Sequence, residues 1–450
     1  MCDSKYITLG DAARALGLTK PRISQLISQG RLSGALVDGR KQVLASSVED
    51  YRSGRSSVPS TRQRFTLMSA DYEVARLTFD KERKLPMSVE EIIDPARMPF
   101  GTTTSTGTVK PRLFNDWWGH RSIPTSRPGY LSRLSQLEID SVLDVPVRNL
   151  GLSLSDCYWI KPDANHSITW SAINYFDNSF TQDNAACWDT WLGGIGLDSP
   201  DNTSEGELPK RWAIRDGQRL LIKGCSSDDQ RPYNEVVATA LHRRLLKADE
   251  YVPYELVQVR DGVACACPNF LNPREEFIPA YYLREKLGNT RGKNELDRIA
   301  RWCDTWLCDK GAMRRALSQM VACDFILANT DRHWRNFGFI RSVDTLEMRP
   351  APLFDSGNSL WYAHTSGQVS QNDWTFASKP FDANPFRQLS LVDDLDWFDA
   401  DALVGFVDEA GEILANSSHA TENGRLSFIK QGLTKQVANA SAALNVLRWR

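Results

Sequence analysis

The sequence predicts an α+β protein with a small basic head and a larger acidic body. The first 64 residues hold eleven Lys and Arg against five Asp and Glu, although the net charge of the 450-residue chain is only −2. Short strand-like runs separated by turn signals fill residues 65–266, and apolar residues at helical spacing dominate residues 267–450. The charge asymmetry predicts that the head, and not the body, meets a polyanion.

The composition is that of an ordinary globular chain. Hydrophobic residues make up 41% of it and charged residues 24%, and no apolar run approaches the roughly 20 residues that span a bilayer. The first residues lack the charged-then-apolar pattern of a signal peptide. The nine cysteines are an odd number, and their spacing matches no zinc site. We therefore expect a cytoplasmic protein without a membrane partner.

The head, residues 1–54, has the pattern of two short helices followed by a hairpin and a further helix. Thr8 is a predicted N-cap of the first helix, which ends at Gly17. Pro21 lies in the first turn of the second helix, and Asp38-Gly39 is a hairpin turn signal. Two helices and a hairpin in this order predict a winged helix-turn-helix.

This pattern resembles the DNA-binding domains of excisionases and MerR-type regulators. The resemblance implies that the second helix faces a groove of duplex DNA and that the hairpin lies near phosphates. The residues expected to contact DNA are Lys20, Arg22, Ser24, Gln25, Arg40 and Lys41. The alternative is a small helical module that binds another protein or packs on the body.

Residues 196–266 combine a polar, glycine-containing turn with two hairpins. The turn contains Gly206 and Lys210, and the first hairpin ends at Lys223. A lysine on the strand that follows a glycine loop is placed to reach nucleotide phosphates. The next helical segment offers Glu235 as the carboxylate that pairs with Lys223 and orients it. The alternative is that Lys223 is an exposed lysine at the end of a strand.

Residues 267–450 are predicted to be mostly helical. Cys267 and Asn269 follow the second hairpin and indicate a hinge, whose backbone would contact an adenine ring. An apolar helix at residues 312–328 then leads into residues 329–338, which are unusually rich in Asn, Asp, His and Arg. Polar residues held between buried elements are the usual form of a site.

The spacing of these polar residues fits phosphoryl transfer. Asp331 is followed five positions later by Asn336, and Asp355 comes later, two positions before a glycine. Phosphoryl transfer needs one Asp to orient a hydroxyl nucleophile, and an Asn and a second Asp to hold magnesium. Asp331 takes the first role, Asn336 and Asp355 take the others, and His333 is expected to shape the loop. Each element alone also occurs by chance, as a surface turn or a core histidine.

Asn-x-Asp-x-His-x-x-Asn-Phe, at residues 329–337, followed by the Asp355 turn, resembles the catalytic and metal-binding loops of HipA-type serine/threonine kinases. The resemblance implies a two-lobed, protein-kinase-like α+β fold behind the winged helix-turn-helix. Residues 55–64 would be a linker and residues 65–195, which carry no motif, an accessory subdomain. Residues 196–266 would form the N-lobe, with the glycine loop, and residues 267–450 the helical C-lobe.

The same resemblance implies ATP and Mg²⁺ as cofactors. Gly206 and Lys210 correspond to the loop that covers the phosphates. HipA-type kinases carry an autophosphorylated serine in this loop, which points to Thr203 or Ser204 here. The implied substrate is a Ser or Thr hydroxyl of a protein, which includes the kinase itself, and an antitoxin-like protein is an expected partner.

Three alternatives remain at this point. HipA-type toxins usually depend on a separate antitoxin for DNA binding, whereas this chain is expected to have a DNA-binding head of its own, so a self-contained regulator rivals a toxin. A second alternative is a DNA-binding regulator whose kinase-like body senses nucleotide or binds a partner without catalysis. A lipid kinase is disfavoured because no basic membrane-facing segment occurs in the acidic body.

Overall fold

The computed structural model describes residues 6–28, 32–37, 40–52, 62–80, 87–121, 145–165, 167–180, 200, 210–224, 229–259, 262–288, 290–305, 309 and 311–448. The protein is mixed α and β. It divides into two compact units, Met1–Arg64 with Thr78–Pro86 and Phe65–Leu77 with Met87–Arg450.

The first unit contains a small sheet and short helices. Its elements are β1 (Tyr6–Thr8), α1 (Leu9–Leu16), α2 (Lys20–Ser28), β2 (Gly34–Val37), β3 (Arg40–Leu44) and α3 (Ala45–Arg52), and the sheet order is β1-β3-β2. The Thr8 hydroxyl caps α1, which ends where Gly17 adopts a left-handed φ of 66°. Ile23, Leu26 and Val43 form its fully buried core. Both helices and the hairpin therefore occur where the sequence predicts them.

A four-stranded sheet follows along the chain. It consists of β4 (Arg62–Ser69), β5 (Tyr72–Asp80), β6 (Ser88–Ile92) and β7 (Tyr158–Pro162) in the order β6-β5-β4-β7, and helices α4 (Pro111–Gly119), α5 (Val145–Arg148) and α6 (Trp170–Ile173) accompany it. Tyr158 and Trp159 are buried, and the Trp159 indole donates to the carbonyl of Ala70. These two aromatic residues pack in a core.

The two predicted hairpins form a second sheet. Its strands are β8 (Lys210–Arg215), β9 (Gln218–Lys223), β10 (Glu255–Val259) and β11 (Gly262–Pro268) in the antiparallel order β10-β11-β9-β8, with α7 (Arg231–Leu245) packed against β10 and β11. Asp216 and Gly217 both have positive φ, which gives the first hairpin the twist of a two-residue turn.

The remainder of the second unit is mainly helical around one large core. It contains β12 (Glu275–Pro279), α8 (Ala280–Leu287), α9 (Glu295–Cys303), α10 (Ala312–Leu327), β13 (Gly338–Ser342), β14 (Met348–Pro350), α11 (Ser366–Ser370), α12 (Pro385–Leu389), α13 (Phe406–Leu414), α14 (Ser418–Thr421) and α15 (Arg425–Arg448), with 3-10 turns at Pro95–Arg97, Asp401–Leu403 and Glu422–Gly424. Helix α10 occurs where the apolar spacing predicts it.

The sequence does not predict the three-stranded sheet β12-β13-β14 in this part of the chain. The sheet positions the site, because β13 begins directly after the polar residues 329–337 and Asp355 follows β14 closely. Gly338 allows this close pairing, since a Cβ there would lie 2.0 Å from the carbonyl oxygen of Ile278 on β12. Among the helices that the structure describes, none is long and apolar enough to cross a membrane.

Candidate active site

The candidate site is a cavity of about 550 Å³ in the second unit. Its wall combines the β8–β11 sheet, α7, the loop after α10 and the loop after β14, with further residues from 117–121 and 153–156. The sequence-predicted residues that line it are Lys210, Lys223, Glu235, Cys267, Asn269, Asp331, His333, Asn336 and Asp355. The fold thus brings side chains that lie up to 145 positions apart in the sequence into one cavity.

Lys223 contacts three other side chains of the site. It is the last residue of β9, and its side chain is only 3% exposed. Its Nζ atom donates to Asp355 Oδ1 at 2.7 Å, to the Tyr254 hydroxyl at 3.0 Å and to Glu235 Oε1 at 3.3 Å. The alternative interpretation, an exposed lysine at a strand end, is therefore wrong.

Opposite charges stabilise the cluster of Lys223, Asp355 and Glu235. Burial opposes the charge on Lys223, but the polar and acidic groups around it, Asp355 first among them, together outweigh burial, and the pKa of Lys223 lies well above its usual value. Burial also opposes the charge on Asp355, but Lys223, Lys210 and Arg332 together outweigh burial, so the pKa of Asp355 lies well below its usual value. Burial raises the pKa of Glu235. The Glu235 carboxylate accepts the backbone N–H of Ser356 and a hydrogen bond from Lys223 Nζ. Lys223 and Asp355 therefore form the charged pair of the site.

The loop after α10 presents Asp331 to the cavity. The helix ends where Ala328 adopts a left-handed φ of 53°. Asn329 Oδ1 accepts the N–H of Asp331 at 2.9 Å, and Asn336 Nδ2 donates to the Asp331 carbonyl at 3.1 Å. The five-residue spacing of Asp331 and Asn336 thus closes the loop on itself. The Asp331 carboxylate accepts two further bonds, from Asn358 and Lys379.

The buried side chain of Arg332 fixes this loop to the core. Its side chain is 1% exposed, and its guanidinium donates to both carboxylate oxygens of Asp324 at 2.8 and 3.0 Å. It also donates to the Asn336 carbonyl, to the Phe354 carbonyl and to Ser356 Oγ. One buried arginine therefore connects α10, the Asp331 loop and the Asp355 loop.

His333 and Arg335 shape the outer side of the same loop. His333 Nδ1 accepts the backbone N–H of Arg335 at 3.2 Å. The Arg335 guanidinium lies 3.0 Å from Asp116 Oδ2 on α4 and 4.0 Å from the centre of the Tyr281 ring. These contacts place both side chains in the role of supporting the loop, and they tie residues from the 65–195 region to it.

Asn336 and Asp355 fit the oxygen chemistry of a magnesium site. Asn336 uses its amide nitrogen on the Asp331 carbonyl, which leaves its amide oxygen for a cation. Asp355 uses Oδ1 on Lys223, and its side chain keeps 29% exposure. Among the described residues no group of three or more His, Cys, Asp or Glu could hold a metal. Two protein oxygens suffice for magnesium, because the ion keeps several water ligands and takes further oxygen ligands from phosphate groups.

The proposed hinge has fewer free polar groups than the sequence suggested. Cys267 is buried, and burial raises the pKa of its thiol to about 11, so the thiol stays protonated at neutral pH. The N–H of Asn269 already donates to the Arg219 carbonyl at 2.8 Å, and its side chain donates to the Leu154 carbonyl. The Asn269 N–H is therefore not free to meet an adenine ring.

The solved structures that are similar to this chain include one from Helicobacter pylori and one from Shewanella oneidensis MR-1. The kinase CtkA, a proinflammatory protein of Helicobacter pylori, is 17% identical with a TM-score of 0.41, and the match covers 53% of this chain and 94% of that one. HipA of Shewanella oneidensis MR-1, solved with HipB and operator DNA as a toxin–antitoxin system, is 13% identical with a TM-score of 0.47. That match covers 84% of this chain and 97% of the other. No protein-family model and no curated protein matches the sequence.

The remaining predicted residues lie elsewhere. Gly206, Thr203 and Ser204 lie outside the described residues. In the first unit the expected DNA contacts lie on α2 and β3: Lys20, Arg22, Gln25 and Lys41 are exposed, Ser24 is half-buried and Arg40 begins β3. Arg22 is hydrogen-bonded to Gln25 at 2.6 Å.

Several residues that contact the site were missed by the sequence analysis. They are Tyr254, which contacts Lys223, Asn358 and Lys379, which contact Asp331, and Asp116 and Asp324, which hold the neighbouring arginines. A signal existed only for Asp324, because a lone carboxylate within the apolar face of α10 requires a buried partner. The others come from distant segments with no pattern of their own.

Proposed function

We propose that this chain is an ATP- and Mg²⁺-dependent serine/threonine kinase of the HipA type, joined to a DNA-binding head. The single observation that carries the proposal is the Lys223–Asp355 contact at 2.7 Å, in a cavity that Asp331 and Asn336 also line. A cation, two carboxylates and an amide around one cavity are the set that phosphoryl transfer requires.

Each side chain has a defined task in the transfer. The hydroxyl oxygen of a Ser or Thr attacks the γ-phosphorus of ATP, the bond from that phosphorus to the β,γ-bridging oxygen breaks, and ADP leaves. Asp331 orients the hydroxyl and accepts its proton as the new ester bond forms. Lys223, held by Glu235, neutralises phosphate charge. Magnesium held by Asn336 and Asp355 would add positive charge along the phosphates.

Transfer to the chain itself is a further part of the proposal. Thr203, or Ser204, is the expected acceptor, because a phosphate there would add a charge of about −1.5 to −2 to the loop that covers the nucleotide. That charge would repel the β- and γ-phosphates and lower the activity. The alternative is a structural role, in which both hydroxyls only cap a turn.

The head supports a second part of the proposal, binding to duplex DNA. Its basic side chains Lys20, Arg22 and Lys41 are exposed on α2 and β3. A protein that couples phosphoryl transfer to DNA binding would act as a toxin or as a regulator. If the protein acts as a toxin, an antitoxin-like protein is its expected partner.

The test is incubation of the purified full chain with γ-labelled ATP and Mg²⁺. We expect label on the protein, and mass spectrometry of its peptides locates the phosphate. Binding of ATP without transfer to the chain or to a Ser/Thr substrate protein would favour the rival, a regulator that only senses nucleotide. A phosphate that maps away from Thr203 and Ser204 would reject the loop as the acceptor but keep the kinase.

A further inference from the structure

The Asp331 carboxylate accepts hydrogen bonds from two residues outside its own loop. Its Oδ2 accepts from Asn358 Nδ2 at 2.9 Å, and its Oδ1 accepts from Lys379 Nζ at 2.9 Å. Lys379 lies 48 positions after Asp331 and does not line the cavity wall. Both carboxylate oxygens are therefore fixed, and each keeps a lone pair for a further donor.

The contact of Lys379 is built by a closed turn. Ser378 donates from its N–H to the Ala383 carbonyl at 3.0 Å and from its hydroxyl to the Asp382 carbonyl at 2.6 Å. Gln388 on α12, which is 3% exposed, donates to the Lys379 carbonyl at 2.7 Å and accepts the N–H of Phe381 at 2.9 Å. The backbone of Lys379 is thus fixed by a buried amide and not by the surface ion pair.

The same turn packs on the Asp331 loop. The Phe381 ring lies edge-to-face against Trp334 at 5.8 Å and against Phe337 at 6.3 Å. Trp334 lies two positions before Asn336 and Phe337 one position after it, so the turn packs on the loop that carries this candidate magnesium ligand. Aromatic pairs of this kind contribute about 0.5–1.5 kcal/mol each beyond area burial.

An exposed ion pair alone would not carry a function. The Lys379 side chain is 51% exposed and that of Asp331 35%, and pairs this exposed are worth about 0–1 kcal/mol. The significance of the contact lies in its geometry, because the turn delivers the ammonium to the one carboxylate that meets the substrate hydroxyl. A free carboxylate rotates about its last torsion, whereas a carboxylate held at both oxygens does not.

We propose that Lys379 is a positioning residue of the kinase, which with Asn358 fixes the plane of the Asp331 carboxylate for the incoming hydroxyl. This inference rests on the proposed function. It assigns residues 378–388 to the side of the site where the hydroxyl that receives the phosphoryl group would bind. Lys379 acts through Asp331, so its loss should slow the transfer step without weakening the binding of nucleotide.

The first test compares Lys379→Met, Lys379→Arg and Lys430→Met in the full chain. Lys430 is a matched control, because it is also a half-exposed lysine in an ion pair, with Asp408, away from the cavity. We expect Lys379→Met to lower kcat by about 10- to 100-fold, as misplaced catalytic groups do. Its Kd for Mg-ATP should match the wild type. Lys379→Arg should keep most of the rate, and Lys430→Met should keep all of it.

A second measurement does not depend on activity. Acylation of lysines by a dilute amine-reactive ester, followed by peptide mass spectrometry, reports whether Lys379 is engaged. We expect Lys379 to react faster in Asp331→Asn than in the wild type, whereas Lys430 reacts equally in both.

The outcomes separate the two proposals. Wild-type kinetics in Lys379→Met, or equal acylation of Lys379 in both proteins, would overturn the role of Lys379 and leave the kinase intact. A loss of Mg-ATP binding in Lys379→Met would overturn it too, since it would show a role in nucleotide binding. Absence of transfer by the wild type would overturn the kinase, and the role of Lys379 with it.

Discussion

At the scale of single residues, the chemistry of the site depends on how Asp355 divides its two oxygens. One oxygen is 2.7 Å from Lys223 Nζ and holds the lysine in place. The other oxygen is the candidate magnesium ligand. The backbone of Asp355 has a left-handed φ of 58°, a conformation that costs energy in a residue other than glycine. The Tyr254 hydroxyl lies 3.3 Å from its N–H and supports it.

The first prediction concerns this division. We expect Asp355→Ala to weaken the binding of Mg-ATP, because it removes a candidate metal ligand and leaves the Lys223 ammonium with one carboxylate fewer. Calorimetric titration with Mg-ATP measures the change, and titration with ATP in excess EDTA is the control. If both proteins bind Mg-ATP equally, Asp355 only forms a turn.

Lys223 and Glu235 could be predicted at the residue scale because each lies in a regular element with a clear pattern. A strand that ends in a lysine and a helix that follows it are enough to place the pair. Tyr254 could not be predicted, since a tyrosine before a strand is ordinary. Its role exists only because β10 and β9 are both neighbours of β11.

At the scale of elements, α10 supports the site through one buried charge pair. Asp324 lies within the last turn of α10, and its carboxylate accepts two hydrogen bonds from Arg332 and one from Asn329 Nδ2 at 2.8 Å. Both Asp324 and Arg332 are almost fully buried. Such pairs add little net stability when intact, but loss of one partner leaves an uncompensated buried charge.

We therefore predict that Asp324→Ala destabilises the body strongly, by about 3–5 kcal/mol. Scanning calorimetry of the full chain measures the melting temperature of the unit that contains α10. Asp408→Ala is the control, because Asp408 also pairs with a basic side chain, Lys430, but is 78% exposed. Equal melting temperatures in the two variants would show that Arg332 finds other compensation.

The elements differ in how well the sequence predicts them. Helix α10 and the two hairpins follow from apolar spacing and turn residues over a continuous stretch. The sheet β12-β13-β14 does not, because its strands are three to five residues long and β12 pairs with β13 across more than 50 positions. The turn at residues 378–383 carries no periodic pattern, so the contact between Lys379 and Asp331 is visible only in three dimensions.

At the scale of the whole molecule, the chain combines a basic head with an acidic body. The prediction for the head is that the full chain binds duplex DNA with an affinity that falls with salt. A log–log slope of roughly −3 to −4 is expected if Lys20, Arg22, Arg40 and Lys41 each release a counterion.

Anisotropy titration of labelled duplex DNA at several salt concentrations measures this slope. Replacement of Lys20, Arg22 and Lys41 by Ala should make it shallower. Arg14→Ala is the control, since Arg14 is exposed in the same unit but pairs with Asp11 on α1. No binding at low salt would favour the protein-interaction alternative for the head.

The proposal that the body is a kinase is tested most directly by Asp331→Asn. Rapid mixing of enzyme with γ-labelled ATP and Mg²⁺ gives the rate of transfer, and calorimetry on the same preparations gives the affinity for Mg-ATP. We predict that the variant binds Mg-ATP within a few-fold of the wild type and transfers no detectable phosphate, because Asp331 acts on the hydroxyl and not on the nucleotide. A variant that transfers phosphate at the wild-type rate would contradict the account and remove Asp331 from the site.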